Sequence, residues 1–286
     1  MAAGSRSTGR NPGPQPRTEA QLQPPPEGWI GKVFGPLLLA VRFLSVIPLP
    51  AAGAASGMGI GRAASYFPVA GFILGGIAGV AGLVLELLLP VPAAAALFSL
   101  FVLFMITGGL HLDGLADTWD AFGAGPDREK RMRILSDSRI GPLGAAALVF
   151  VVGLDWSILA SLPSSFRFWS LAAAAGAGRW AAVLIAGSYS PAKESGLGSY
   201  FIKAVSPRRM VWATAVVLAL SWLAVPVAGP AILAAAGIVA YGVGHRLARG
   251  FGGMTGDLLG TVIELTQLAF LAAAAIFYHS GMIGAW

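Results

Sequence analysis

Three aspartates in one short stretch have a spacing that suits a divalent cation. Asp113, Asp117 and Asp120 stand at i, i+4 and i+7, so in an α-helix of 3.6 residues per turn they share one face. Three like charges on one stripe repel one another and do not stabilise the helix. A hard cation such as Mg²⁺, which binds carboxylate oxygens, would convert this repulsion into coordination. A solvated acidic helix end is the alternative interpretation.

Two further features near this stripe suit a phosphorylated ligand. Asp137 is a candidate metal ligand or orienting carboxylate, and Arg139 could donate two hydrogen bonds to a phosphate. Gly109 and Gly114 flank the first aspartate, and glycine there would let the backbone approach a bulky ligand closely.

A glycine-rich loop near the C-terminus leads into two more acids. Gly252, Gly253 and Gly256 precede Asp257 at the predicted start of the last helix. The backbone amides of such a loop, with a helix N-terminus behind them, suit a phosphate. Glu264 would lie about two turns inside the membrane, where a carboxylate is costly and indicates a functional site.

The remaining charged groups in apolar segments need partners or water. Arg179 falls in mid-span and could pair with Glu264, with another acid or with a substrate phosphate; a structural ion pair is equally consistent. His111 is interpreted as an interfacial histidine and not as a metal ligand. Asp155 is expected toward the outer half of its span in an interfacial role, and Glu86 could reach water at an outer helix end.

Together these groups favour transfer of a phosphoryl group to an alcohol. Metal ions would neutralise a diphosphate and stabilise the leaving group, and a carboxylate could accept the proton of the alcohol. Residues 189–200, with a Gly-Leu-Gly sequence and flanking hydroxyls, could form a loop over a nucleotide.

The composition shows what kind of chain must position these residues. Of 286 residues, 56% are hydrophobic and 11% are charged, whereas a soluble domain has about 25% charged residues. This deficit, with repeated apolar runs, predicts an all-α, polytopic, integral membrane helix bundle. The absence of cysteine excludes disulfides, thiol nucleophiles and cysteine-based metal sites. The net charge of +6 reflects loop topology and does not indicate a nucleic acid partner.

The order of segments predicts one membrane domain behind a tail. Residues 1–28 are rich in Pro, Gly, Gln and Arg and predict a disordered basic tail; residues 29–286 form a single transmembrane catalytic domain. The segment 34–50 is too short to span and contains Arg42, so we expect a re-entrant or interfacial helix. About seven spans follow, approximately at 67–89, 93–110, 141–162, 168–188, 211–228, 231–248 and 258–278.

Basic residues predict the orientation of these spans. The connections 111–140 and 189–210, together with Arg246 and Arg249, carry most of the Lys and Arg residues and fall on one side of the membrane. The positive-inside rule makes that side cytoplasmic. The aspartate stripe is therefore expected to face the cytoplasm from the inner (plasma) membrane. A homo-oligomer is compatible with the sequence, which does not fix the number of subunits.

The motifs resemble those of the cobalamin synthase family, whose reaction name is adenosylcobinamide-GDP ribazoletransferase. The resemblance covers the chain from about Lys32 to the C-terminus, and three acidic motifs together carry it: residues 108–117, residues 137–141, and residues 252–257 with 264–266. The segments 43–50, 66–71 and 196–198 are similar to weaker blocks of the family. Trp119, where a smaller residue is frequent, and Asp155, where a basic residue is expected, depart from the pattern.

The resemblance implies a Mg²⁺-dependent enzyme of cobalamin assembly. Its substrates would be adenosylcobinamide-GDP and α-ribazole or its 5′-phosphate, and its products adenosylcobalamin or its 5′-phosphate and GMP. It implies Asp113, Asp117 and Asp137 as metal ligands and Asp120 as a ligand or base. Asp257 and Glu264 would form a second acidic group for metal, base or substrate hydroxyls. Arg139 would contact phosphate, and Arg179 and the glycines would bind substrate.

Two other functions remain as alternatives at this point. A CDP-alcohol phosphotransferase of phospholipid synthesis also places an aspartate cluster at a cytoplasmic boundary, but its pattern expects Ala-Arg where this chain has Ala116 and Asp117. A cation transporter could use intramembrane acids, but such sites lie near the bilayer midplane on broken helices, whereas most acids here lie toward one surface.

Overall fold

The protein is an all-α bundle, as the composition predicts. The structure, a computed structural model, describes residues 29–49, 57–137 and 139–282, so the predicted tail at 1–28 lies outside the described residues. Within those ranges the chain forms twelve helices: α1 Trp29–Leu44, α2 Gly57–Ala64, α3 Phe67–Leu88, α4 Pro92–Thr107, α5 Leu110–Gly123, α6 Arg128–Ile134, α7 Pro142–Ala160, α8 Ser164–Ser188, α9 Leu197–Ala204, α10 Pro207–Ala224, α11 Gly229–Phe251 and α12 Gly256–His279.

Helix α8 lies at the centre of the bundle. Most of its residues are buried, and they include a run of alanine and glycine from Ala172 to Gly178. Its closest neighbours are α3 and α12, and α3 presents Gly75 to it, where a Cβ would lie 2.8 Å from the Leu171 carbonyl oxygen. Small residues let helix backbones approach closely in lipid, where van der Waals packing drives association. The small residues of α8 and α3 therefore let these helices pack closely in the core of the bundle.

Five of the helices are long and apolar enough to cross a membrane: α3, α7, α8, α11 and α12. They correspond to the predicted spans 67–89, 141–162, 168–188, 231–248 and 258–278. A sixth span results if α4 and α5, which meet at an angle of 91°, are counted as one broken span. The predicted span 211–228 corresponds to α10, which is not among the five, because Arg208 and Arg209 lie in its first turn. The polytopic bundle is thus confirmed, with five or six spans by this criterion in place of about seven.

The predicted span 93–110 ends early because the chain turns sharply. Gly108 and Gly109 have φ values of +64° and +69°, in the left-handed region that glycine adopts without steric cost. Helix α4 stops at Thr107, and α5 starts at Leu110 on an axis bent by 91°. Such a bend is typical of a broken span or a re-entrant loop. Gly109 therefore shapes the turn that orients the aspartate stripe, and it is not among the residues that line a cavity.

The N-terminal segment packs on the bundle without adding a long span. Only its part Phe34–Leu44 is apolar, and that part is shorter than a span, as expected for the segment 34–50. After Leu44 the chain crosses to the α4–α5 turn, where the Val46 amide donates to the carbonyl oxygen of Ile106 at 2.9 Å. Pro50 lies outside the described residues.

At the other end of the bundle, the Glu86 side chain is 17% exposed and also has a protein partner. Its carboxylate forms an ion pair with Arg167 at 2.9 Å, and Arg167 is 4% exposed. Arg167 also donates to the carbonyl oxygens of Leu159 and Leu162. A buried cation with a full set of acceptors is a structural pair, and it joins α3 to the α7–α8 connection.

Candidate active site

The aspartate stripe of α5 lies at a point where three segments meet. The negative charges of Asp113, Asp257, Asp120 and Asp137 all act on Asp117. These residues come from α5, from the start of α12 and from the loop after α6. The structure thus brings together acids that are far apart in the sequence. Such a concentration of negative charge opposes folding unless a cation or ligand offsets it.

Helix α5 reaches α12 through Gly114. A Cβ on Gly114 would lie 2.5 Å from the carbonyl oxygen of Asp257, so no larger residue fits at this crossing. The Thr261 hydroxyl lies 3.0 Å from the Gly114 carbonyl oxygen and 2.8 Å from the Thr118 hydroxyl. Gly114 was predicted to let backbone approach a ligand. The structure shows it instead in contact with the backbone of α12, where it positions Asp257.

Asp120 is held by the start of α7. Its two carboxylate oxygens accept hydrogen bonds from the amides of Gly141 at 2.7 Å and Gly144 at 2.8 Å. These amides belong to the first turn of α7, where backbone donors have no partner within the helix, and a carboxylate also interacts favourably with the positive end of the helix dipole. Asp120 therefore joins α5 to α7. Both of its oxygens are engaged, which fits a positioning residue better than the predicted ligand or base.

Asp137 and Arg139 bind one another. The Arg139 guanidinium donates to both carboxylate oxygens of Asp137, with a shortest distance of 2.7 Å. These hydrogen bonds hold the pKa of Asp137 below its ordinary value, and Asp137 raises the pKa of Arg139. The Arg139 side chain is 85% exposed, so the pair is weak and open to exchange with a ligand.

The glycine loop before α12 is a turn whose amides are largely occupied. Gly252 and Gly253 have φ values of +71° and +138°, and the Gly253 amide donates to the Ala248 carbonyl oxygen at 2.9 Å. The Met254 amide donates to Ser190, and Met254 accepts from the Ala192 amide. The Gly252 amide also donates to Ala248, so three amides of the predicted phosphate cradle are used within the protein. Gly252 and Gly253 direct the chain into α12.

A cleft of about 310 Å³ opens beside this turn. Gly256 and Asp257 line it from α12, and His111 lines it from α5. The opposite wall is the segment Ser195–Ser199, which includes the Gly-Leu-Gly sequence. The segment predicted to cover a nucleotide therefore faces Asp257, and of the predicted loop glycines only Gly256 lines the cleft.

Lys193 is a site residue that the sequence interpretation missed. It lines the cleft, its positive charge acts on Asp257, and its Nζ donates to the Ser136 hydroxyl at 2.9 Å. It thus connects the cleft to the Asp137 loop. The sequence showed Lys193 only as one of many basic residues on one side of the membrane. The nearby Gly-Leu-Gly sequence was the one feature that could have indicated that this segment belongs to the site.

Below the cleft, a buried polar cluster surrounds Arg179. Its guanidinium donates to Gln267 Oε1 at 3.2 Å and lies 3.2 Å from His111 Nδ1, which in turn is 3.9 Å from Glu264. Gln267 donates to Asp155 at 3.4 Å. Arg179, Asp155 and Glu264 are 1%, 2% and 7% exposed. Desolvated charges of this kind persist only when they compensate one another.

This cluster changes three of the sequence interpretations and bears on a fourth, that of Arg179. Asp155 is buried and not interfacial, and His111 is a buried member of the cluster. Glu264 belongs with Arg179, while Asp257 belongs with the α5 acids, so the two do not form one acidic group. Arg179 contacts protein side chains and lines a separate cavity of about 260 Å³ among the apolar residues of α4. Its charge acts on Glu264, and its role as a substrate contact stays a prediction.

The acids of the site have the right chemistry for a hard cation but are not gathered around one point. Carboxylate oxygens are the donors that Mg²⁺ prefers, and the repulsion acting on Asp117 is of the kind that a cation relieves. Among the described residues, however, no three His, Cys, Asp or Glu side chains are arranged to hold a metal ion. Binding of a metal ion by these acids would therefore require side-chain rotation.

Comparison with known proteins gives a consistent result. The profile of a family described as cobalamin-5-phosphate synthase matches residues 36–275. A protein of Klebsiella pneumoniae (strain 342) named adenosylcobinamide-GDP ribazoletransferase is 38% identical over 239 residues, which cover 82% of this chain and 96% of that protein. A protein of the same name from Roseiflexus sp. (strain RS-1) is 34% identical over 251 residues, which cover 88% and 92%. No solved structure matches the chain.

Proposed function

The chain belongs to the cobalamin-5-phosphate synthase family, and we propose that it is an adenosylcobinamide-GDP ribazoletransferase. It joins adenosylcobinamide-GDP to α-ribazole or to α-ribazole 5′-phosphate. A ribose hydroxyl attacks the phosphorus that carries cobinamide, the diphosphate bond breaks, and GMP leaves. The products are adenosylcobalamin or its 5′-phosphate, GMP and a proton.

One structural observation supports this chemistry above the others. Asp257 lines a cleft that also contains Lys193, and it interacts electrostatically with Asp113 and Asp117 of α5. A diphosphate substrate needs cationic groups for its oxygens, and an alcohol nucleophile needs a proton acceptor. Lys193 is placed to contact a phosphate oxygen. Asp257, which lines the cleft, is placed to accept the proton of the attacking hydroxyl.

Mg²⁺ is the proposed cofactor, with Asp113, Asp117 and Asp137 as its ligands. When bound, it would neutralise the diphosphate and stabilise the leaving GMP. Arg139, freed from Asp137, would contact a phosphate. Asp120 and Glu264 act indirectly in this proposal: Asp120 fixes α5 on α7, and Glu264 fixes the buried end of the site through His111 and Arg179.

We place the site on the cytoplasmic face of the inner membrane. Arg128 and Arg131 lie on α6 beside the aspartates, and Arg246 and Arg249 lie at the end of α11 next to the Gly252 turn. The positive-inside rule assigns such a face to the cytoplasm. Because the chain has no cysteine, a Glu129→Cys variant in intact cells would test this placement. Labelling by a membrane-impermeant maleimide before lysis would contradict it.

Purified protein in lipid nanodiscs, incubated with adenosylcobinamide-GDP and α-ribazole, tests the proposed reaction. We expect GMP and adenosylcobalamin to form in equal amounts with Mg²⁺ and not after EDTA treatment. Product formation in EDTA would refute the metal role but not the transfer. Formation of a phospholipid from a CDP-alcohol, or cation flux in liposomes without transfer, would favour the phosphotransferase or transporter alternative.

A further inference from the structure

A groove runs over α12 between α5 and α11, apart from the cleft. Its deeper half has a volume of about 540 Å³, and Val243, Leu247 and Leu265 line it together with the rings of Trp119 and Phe122. This half lies along the membrane-crossing segments of α11 and α12. Its apolar wall is therefore formed in part by helices that are long and apolar enough to cross a membrane.

The groove continues into a basic end. A second space of about 370 Å³ shares Phe122, Arg131 and Arg246 with the apolar half and adds His245 and Arg249. No acidic side chain is among the described residues that line either half. Three arginines thus surround one end of an apolar channel without a counter-charge in its walls.

The three arginines differ in how they are held. Arg131 donates to the carbonyl oxygens of Gly125 at 2.6 Å and Gly250 at 3.2 Å, and its guanidinium lies 4.9 Å from the centre of the Phe122 ring. Arg246 and Arg249 are exposed and form no ion pair within the described part of the chain. One cation is therefore fixed in place, and two are available to a ligand.

We propose that this groove binds an anionic phospholipid. The phosphate would contact Arg246 and Arg249, with Arg131 beside it, and one acyl chain would lie along Val243, Leu247 and Leu265. The basic end of the groove is complementary in charge to the phosphate of an anionic lipid. The continuous apolar half supports a lipid over a small soluble anion, which would leave it unfilled.

The position of the groove links such a lipid to the active site. Its floor includes Thr118 and Thr261, whose hydroxyls are 2.8 Å apart and join α5 to α12. Arg131 joins the α5–α6 connection to Gly250, two residues before the glycine turn. A lipid in the groove would brace α5 against α11. Lipid binding itself, however, does not depend on the proposed transferase reaction.

The test is lipid binding to the full-length protein in detergent, measured by native mass spectrometry during titration with phosphatidylglycerol and phosphatidylcholine. We expect selective binding of phosphatidylglycerol. The Arg246→Gln/Arg249→Gln variant should lose about 30-fold in its affinity, since each basic residue near a lipid surface contributes about a fivefold preference for anionic lipid. Lys130→Gln/Arg133→Gln, with the same change in charge on exposed residues of α6 outside the groove, should bind as wild type.

Three outcomes would overturn the proposal. Equal losses in the two double variants would show only a general surface charge effect. Equal binding of the two lipids by wild type would remove the role of the arginines. Displacement of phosphatidylglycerol by inorganic phosphate at similar concentration would indicate a small-anion site. If the arginine variant is poorly folded, Val243→Trp fills the apolar half and should exclude the lipid with every arginine retained.

Discussion

The backbone of Gly114 lies against that of Asp257. A Cβ on residue 114 would be 2.5 Å from the Asp257 carbonyl oxygen and 2.9 Å from its Cα, closer than side chains approach a backbone. Helices α5 and α12 can therefore cross here only because residue 114 lacks a side chain. The same crossing brings Asp257 to the acids of α5. A residue without a functional group thus determines how the acidic groups of the site are arranged.

The Gly114→Ala variant should separate α5 from α12. We expect a loss of about 1–3 kcal/mol in the free energy of unfolding, as for other overpacked contacts, and a larger fractional loss of product formation. Thermal unfolding in detergent and GMP release measure the two effects. Gly76→Ala on α3 is the matched control, because a Cβ there meets nothing within 4 Å. Wild-type activity in Gly114→Ala would show that the crossing does not position the site.

The Asp117→Asn variant should separate function from stability. Loss of a proposed metal ligand should lower product formation about 100-fold or more, while the melting temperature should stay equal or rise, because repulsion from four neighbouring carboxylates is relieved. Glu129→Gln, an exposed acid on α6, is the control for charge. Full activity of Asp117→Asn would remove the metal role from this residue.

The Asp120→Ala variant should act through α7. It leaves the amides of Gly141 and Gly144 without their acceptor, which should cost about 1–2 kcal/mol, as for loss of a helix cap. The Mg²⁺ concentration for half-maximal activity should not change, and Asp120→Asn should recover part of the stability. An altered Mg²⁺ requirement with unchanged stability would instead identify Asp120 as a ligand.

The Lys193→Gln variant should weaken substrate binding. Removal of a charge-assisted hydrogen bond to phosphate should raise KM for adenosylcobinamide-GDP about tenfold or more, with a smaller effect on kcat. Lys203→Gln is the control, since Lys203 lies in the same region but donates to the Glu194 carbonyl oxygen and does not line the cleft. An unchanged KM in Lys193→Gln would exclude the phosphate contact.

The Arg179→Leu variant should destabilise the protein without a specific effect on substrate. It leaves the buried Glu264 without the cation whose charge acts on it, which should cost about 3–5 kcal/mol, as for a broken buried pair. Adding Glu264→Gln should restore part of that loss in thermal unfolding. KM of the folded fraction should remain that of wild type. A large KM increase with little destabilisation would return Arg179 to the role of a substrate contact.

Local patterns in the sequence were sufficient for the elements and for the chemical character of the site. The apolar runs predicted the membrane helices because length and hydropathy are local properties. The i, i+4, i+7 spacing predicted that Asp113 and Asp117 share a helix face, and both lie on α5. The three acidic motifs together also indicated the family, which the comparisons confirm.

What each acid touches was decided only by the tertiary structure. Asp120 and Asp117 are three residues apart, yet one binds the amides of α7 and the other faces acids from two distant segments. Asp257 and Glu264 share a helix but belong to different clusters. These outcomes depend on the turn at Gly108 and Gly109, which sets the direction of α5, and on Gly114, which lets α5 meet α12. The contacts of Asp120 reach 21 and 24 positions along the chain, and the contact of Glu264 with His111 joins residues more than a hundred positions apart. Local spacing carries no information about either.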